Sequence, residues 1–148
     1  MKTSPAGIAL IERFEGLKLR SYQDGNGIWT IGYGHTPGVT AGQFETQAKA
    51  EADLCGDVGT AETAVTRLVQ VPLTQGQFDG LVSFTYNEGW GRLRDSTLLK
   101  LLNAGSYALA AGAFGSWEMI AGKHSDGLET RRLAEVALFD SPVGACVA

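Results

Sequence analysis

EGLKLRSYQDGNGIWTIGYGH, residues 15–35, is the stretch from which the rest of this chain can be read. Upstream of it, Ser4 is suited to cap a helix with Pro5 at its first position. Ile8, Ile11 and Glu15 then share one face at i, i+3, i+7 spacing, and Gly16 supplies the stop. After Gly16 the period changes. Leu17, Leu19 and Tyr22 alternate with polar residues, Asp24-Gly25-Asn26-Gly27 offers the positive φ angles of a hairpin turn, and Ile28 to Tyr33 runs away from it as a strand. Gly32 and Gly34 flank Tyr33, and His35-Thr36-Pro37-Gly38 closes the small lobe.

Helical patterning fills what remains. Thr46 is placed to cap a helix with Ala48, Ala52, Cys55 and Val58 on one face, weakened at Gly56 and Gly59 and broken by Val71-Pro72-Leu73. Thr74-Gln75-Gly76-Gln77 is a capping box opening a helix through Phe78, Leu81, Val82 and Tyr86. Asp95 or Ser96 caps a leucine-rich helix ended by Gly105, and Ser106 caps another with Ala110, Phe114 and Trp117 facing inward. A last helix spans about 127–139, with Leu128, Leu133, Val136, Leu138 and Phe139 as its apolar face. The expected fold is α+β and mostly helical. It is a single domain with a β-hairpin lobe at about 17–45, a linking helix at about 46–69 and a helical lobe at about 70–148 joined by the N-terminal helix 4–15, leaving a cleft between lobes.

Bulk composition narrows the function. At 148 residues, 44% hydrophobic and 19% charged, the chain suits one folded domain with a real core. A net charge of −4 argues against nucleic acid, whose phosphates need concentrated Lys and Arg. No apolar run approaches the ~20 residues of a membrane span, so no stable membrane insertion is expected. The short apolar patch Ala6–Ile11 is interrupted by Glu12-Arg13, so no signal peptide is read and synthesis in the cytoplasm is expected. Cys55 and Cys146 have no metal or redox spacing. Cys55 reads as a small core residue and Cys146 as a free thiol, with a disulfide between them left open. No metal or organic cofactor is expected.

Two carboxylates on one cleft can protonate a leaving oxygen and direct a water at the same carbon, the minimum equipment for cleaving a glycosidic bond. Glu15 and Asp24 are the candidates, with Thr30 on the strand leaving the turn. Each has an ordinary reading too: a solvated helix end, a turn former and a strand residue. Their joint spacing, followed by Ile31-Gly32-Tyr33-Gly34-His35, resembles the phage-type lysozymes, or endolysins, of glycoside hydrolase family 24. Ser83-Phe84-Thr85-Tyr86-Asn87-Glu88-Gly89 is similar to that family's cleft segment. Ser96-Thr97-Leu98-Leu99, Leu102-Asn103-Ala104-Gly105 and Gly127-Leu128-Glu129-Thr130-Arg131-Arg132 are similar to its helical-lobe signatures.

The resemblance implies hydrolysis of the β-1,4 bond between N-acetylmuramic acid and N-acetylglucosamine in peptidoglycan, for bacterial cell lysis. Glu15 would be the general acid, and Asp24 with Thr30 would hold the attacking water. Inversion follows if the carboxylates stand roughly 6.5–9.5 Å apart. Tyr86, Asn87, Gly34 and Thr36 are the substrate-binding positions it implies. His35 would pair with Asp57, and Arg131 would lie close to Glu15, although the adjacent Arg132 could serve equally. Trp90, between two glycines, is the best-placed tryptophan to stack on a sugar. The implied partners are peptidoglycan glycan strands, met as a monomer, with a separate pore-forming protein for release if a phage encodes the chain. Two alternatives stay open: a lytic transglycosylase acting on the same bond, and a catalytically silent glycan-binding module.

Overall fold

The computed structural model describes residues 1–142. Helix α1 spans Pro5–Glu15; the Ser4 hydroxyl accepts from the Gly7 N–H, and Gly16, at φ 68, ends the helix by returning its N–H to the Glu12 carbonyl. Glu15 is thereby delivered at the last helical position, just where the chain turns into the small lobe.

That lobe is built on β1 (Lys18–Gln23) and β2 (Trp29–Gly32), antiparallel, with Tyr22 opposite Thr30. Asp24 stitches the turn between them: its Oδ1 accepts from the backbone N–H of Asn26 at 2.8 Å and of Ile28 at 2.9 Å. A third strip, unforeseen in the sequence, lies along the other edge of β1. There Ser21 N–H donates to Gln43 O at 2.9 Å, and Glu45 N–H donates to Leu19 O at 3.0 Å. It had no signal because Phe44, its one large apolar residue, points outward and is 65% exposed.

Helix α2 (Gln47–Leu68), capped by Thr46, links the lobes. Its buried face differs from the one the sequence suggested. Ala50, Leu54, Val58, Ala61 and Val65 point inward, whereas Ala48, Ala52 and Cys55 are exposed. Both stripes have helical spacing and share Val58; burying Leu54 and Val65 removes more apolar surface than burying two alanines and a cysteine, so the larger residues set the rotation. Cys55 is therefore a surface thiol, and Cys146 lies outside the described residues.

Helix α3 (Gln75–Glu88) opens on the capping box of Thr74 and Gln77 and forms the centre of the helical lobe, packed against α1, α2 and two helices that follow. Those that follow in sequence are α4 (Trp90–Asp95), α5 (Thr97–Asn103), α6 (Tyr107–Ala113) and α7 (Asp126–Phe139), with a 3₁₀ turn at Phe114–Trp117. Between that turn and α7 lies a small hairpin of β3 (Met119–Ile120) and β4 (Lys123–His124). Neither α4 nor this hairpin was legible, since α4 buries only Leu93 and the hairpin residues are all exposed. Phe84 meets Phe114 and Trp117 edge-on, with ring centroids 5.5 and 5.4 Å away, and anchors the core beneath α3.

The largest departure is α7. Leu133, expected inside, is 62% exposed, while Arg131, Arg132 and Glu135 are buried at 3%, 1% and 0% exposure. A close approach of α3 makes this possible: a Cβ at Gly80 would stand 2.8 Å from the Glu135 carbonyl oxygen. Backbone contact on that side leaves room for long charged side chains to run between the helices, provided they pair with one another. No helix among the described residues is long and apolar enough to cross a membrane.

Candidate active site

Glu15 lies where α1, the small lobe and α7 meet. Its Oε1 accepts from Arg131 Nη1 at 2.6 Å, which settles the choice between the two adjacent arginines. Arg131 is fixed from behind, with Nε 3.2 Å from Glu135 Oε1 and Nη2 donating to the Ser83 carbonyl at 3.2 Å. Arg132 turns the other way, to Asn87 Oδ1 at 2.6 Å and to Glu135 Oε2 at 3.0 Å. Successive residues on a helix point about 100° apart, so two neighbouring arginines cannot serve one carboxylate equally.

Gly34 presses against the other oxygen of Glu15. It holds φ 88, and a Cβ there would stand 3.1 Å from Glu15 Oε2. Gly34→Ala is therefore expected to displace the Glu15 carboxylate and strain the backbone together. We expect at least a tenfold loss of lytic rate with a fall in melting temperature of only a few degrees, about 1–2 kcal/mol of strain. Turbidity clearing paired with thermal melting checks it; an unchanged rate would show that Gly34 does not set Glu15.

On the hairpin, Thr30 is buried and donates its hydroxyl to the Ile28 carbonyl at 3.0 Å, leaving its lone pairs to accept. Asp24 commits Oδ1 to the turn amides, while Oδ2 has no hydrogen bond among the described residues. Tyr22 was not singled out from the sequence, yet it stands opposite Thr30 on the neighbouring strand. Its phenol is pushed above the usual tyrosine range by partial burial first, then by the charges of Glu15 and Asp24. The hairpin register, which sets Tyr22 opposite Thr30, was the signal that could have found it.

A cavity of about 300 Å³ opens beside Gly34, lined also by Thr36, Asp57, Thr60, Tyr86 and Trp90. Three of the four positions named for substrate binding thus border one opening. Tyr86 presents its ring there; its hydroxyl is spent, donating to the Tyr33 carbonyl at 2.7 Å. Burial, then the charges of Glu15 and Asp57, raises that phenol well above its ordinary value, so it stays a donor. Asn87 does not line this cavity: its Oδ1 accepts from Arg132 Nη2 at 2.6 Å, one step around the helix from Tyr86. His35 Nδ1 lies 2.7 Å from Asp57 Oδ2, tying the end of the hairpin lobe to α2 beside the same opening. Trp90 is 56% exposed at its rim, with the Arg94 guanidinium 5.2 Å from its ring centroid.

A family model described as Phage lysozyme matches residues 12–135. An endolysin of Acyrthosiphon pisum secondary endosymbiont phage 1 is 43% identical over 145 residues, which cover 95% of this chain and 99% of that protein. An endolysin of Bacillus phage PZA is 46% identical over 144 residues, 95% of this chain but 56% of the longer relative. Among solved structures, the muramidase domain of SpmX from Asticaccaulis excentricus superposes with a TM-score of 0.90 at 40% identity, covering 95% of this chain and 99% of that one.

Proposed function

The chain belongs to the phage lysozyme family, and from that premise we propose that it is an inverting muramidase cutting the β-1,4 bond between N-acetylmuramic acid and N-acetylglucosamine. Lysis of the bacterial cell wall is the activity its endolysin relatives are named for. The observation that supports the finer reading is a Glu15 carboxylate fixed between Arg131 at 2.6 Å and Gly34, with Asp24 held by the turn amides and Thr30 on the strand that leaves the turn.

In this reading Glu15 gives its proton to the glycosidic oxygen as the bond to the anomeric carbon breaks. Arg131 and Gly34 fix which oxygen faces the sugar, since Oε1 is engaged and Oε2 lies against Gly34. On the opposite sugar face a water donates one hydrogen to Asp24 Oδ2 and the other to the Thr30 hydroxyl. Its lone pair attacks the anomeric carbon as the hydrogen held at Asp24 Oδ2 passes to that carboxylate, leaving a hydroxyl on the sugar. The turn supports this division of labour, because two backbone N–H groups hold the Asp24 carboxylate in place and leave one oxygen to act. A water between carboxylate and sugar inverts the anomeric centre, whereas direct attack by the carboxylate would retain it.

Digestion of purified sacculi followed by mass spectrometry tests the bond: reducing muramic ends are expected. Reducing N-acetylglucosamine ends would move the cut to the other bond, 1,6-anhydro ends would mean transglycosylation, and binding without release would mean a silent module. Proton NMR of the first turnover reads the anomer, with the α product expected from the β bond. A β product would replace the water by a covalent step.

A further inference from the structure

Peptidoglycan carries short peptides on its lactyl groups, and the chain has a second opening suited to one of them. Resting on the muramidase reading, we infer that the groove between α2 and Trp90 is a subsite for the carboxylate-bearing stem peptide, with Arg67 receiving the carboxylate. The groove encloses about 510 Å³, more than the cavity beside Gly34. The two openings share Thr60 and Trp90 as lining, so a substrate seated in one is led into the other.

Its floor offers little polar competition. Thr60 and Thr63 donate their hydroxyls back to the α2 carbonyls of Gly56 and Gly59, and Gly59 and Ala64 add almost no bulk between them. Such a surface fits an extended peptide with small side chains. At its far end lies a cation. Arg92, Arg94, Arg131 and Arg132 each hold a carboxylate, and Arg13 and Arg20 lie over the rings of Phe14 and Phe44, whereas Arg67 has neither kind of partner among the described residues, in a chain of net charge −4. The glycan has no free carboxylate once its lactyl groups are in amide linkage, so a free guanidinium there selects for the peptide. The span agrees. Thr60 and Arg67 are about 10 Å apart along the helix axis, and an extended four-residue peptide reaches roughly 13–14 Å.

The experiment compares peptide-bearing glycan strands with strands stripped by an amidase, using Arg67→Ala and the groove-filling Thr63→Phe. Both variants are expected to raise KM on the peptide-bearing substrate about tenfold, near the lower end for a charge-assisted contact, with kcat kept and stripped-strand turnover unchanged. Arg67→Lys should recover part of the loss. Independently of turnover, a free stem tetrapeptide ending in a carboxylate should shift the Gly59 and Ala64 amide NMR signals. The shifts should weaken when that terminus is amidated and vanish in Arg67→Ala. Equal losses on both substrates would make the groove a glycan subsite and overturn the inference, as would tetrapeptide shifts that are absent or indifferent to Arg67. An unsubstituted protein that binds the tetrapeptide but cuts neither strand would sink the muramidase reading while leaving the peptide site standing.

Discussion

Glu15→Gln is expected to abolish clearing of permeabilised cells while leaving the fold intact. The amide is nearly isosteric, and its carbonyl oxygen can still accept from Arg131 Nη1, the contact now made at 2.6 Å. What is lost is the carboxyl proton. General acid catalysis is worth about 10²–10⁴ in rate, so residual lysis should fall by at least two orders of magnitude. Stability should move far less. Arg131 is 3% exposed and would keep Glu135 and the Ser83 carbonyl when Glu15 loses its charge, so no guanidinium is stranded. A near-native melting temperature with lysis gone is the diagnostic pair. Lysis at the unsubstituted rate would remove Glu15 from the reaction, and joint loss of activity and fold would make it a structural residue. Glu15→Asp is the companion: it keeps the acid but withdraws it by one methylene from Gly34, and should be intermediate in rate.

What could be read without coordinates divides along a physical line. Features set by local chemistry were legible: Ser4 and Pro5 opening α1, Gly16 closing it, the Asp24-Gly25-Asn26-Gly27 turn, and the capping box at Thr74. Each depends on residues within a few positions, and each binds the backbone it was expected to bind. Features set by a contest between distant surfaces were not. The rotation of α2 turned on Leu54 against Cys55, where two helical stripes were equally periodic and only the neighbouring core could choose. The third strip of the small lobe owes its place to β1 and has no pattern of its own.

The site divides in the same way. Glu15, Asp24 and Thr30 fall within sixteen residues, and it was their joint spacing with the glycine run, through the resemblance it carries, that made them candidates. Tyr86, by contrast, is one step around α3 from Asn87, and sequence gave no reason to separate them. Most opaque was the support behind Glu15. Arg131, Arg132 and Glu135 have the spacing of ordinary surface ion pairs, and hydropathy sends them outward. Nothing local reveals that Gly80 draws α3 close enough to enclose them.

That enclosure makes Glu135 the position where substitution should cost the most stability. It is 0% exposed and faces Arg131 Nε at 3.2 Å, Arg132 Nε at 3.0 Å, and the Ser83 hydroxyl, which donates to it at 2.7 Å. Burial pushes its carboxyl upward, while Arg132, Arg131 and Ser83 draw it back down. Glu135→Ala would leave two buried guanidiniums short of negative charge and open a void between α3 and α7. Breaking a buried pair in this way costs about 3–5 kcal/mol, on the order of 10–20 °C in melting temperature for a chain of this size. Glu135→Gln preserves the volume and the Ser83 contact and loses only the charge, so it should fall between. Leu133→Ser, two positions away and 62% exposed, supplies the contrast and should stay within about 0.5 kcal/mol. On hydropathy the ranking would be reversed, with the leucine indispensable and the glutamate expendable. Calorimetry of the three variants decides between the two orders: a Glu135→Ala protein melting as late as Leu133→Ser would mean that the arginines find water, and that the buried network does not hold Arg131 on Glu15. Activity measured below the lowered melting point carries the consequence to the site. With Glu135 gone, Arg131 keeps only Ser83 behind it, through its carbonyl and hydroxyl oxygens, and lysis by the folded fraction should drop with the loss of a fixed Glu15.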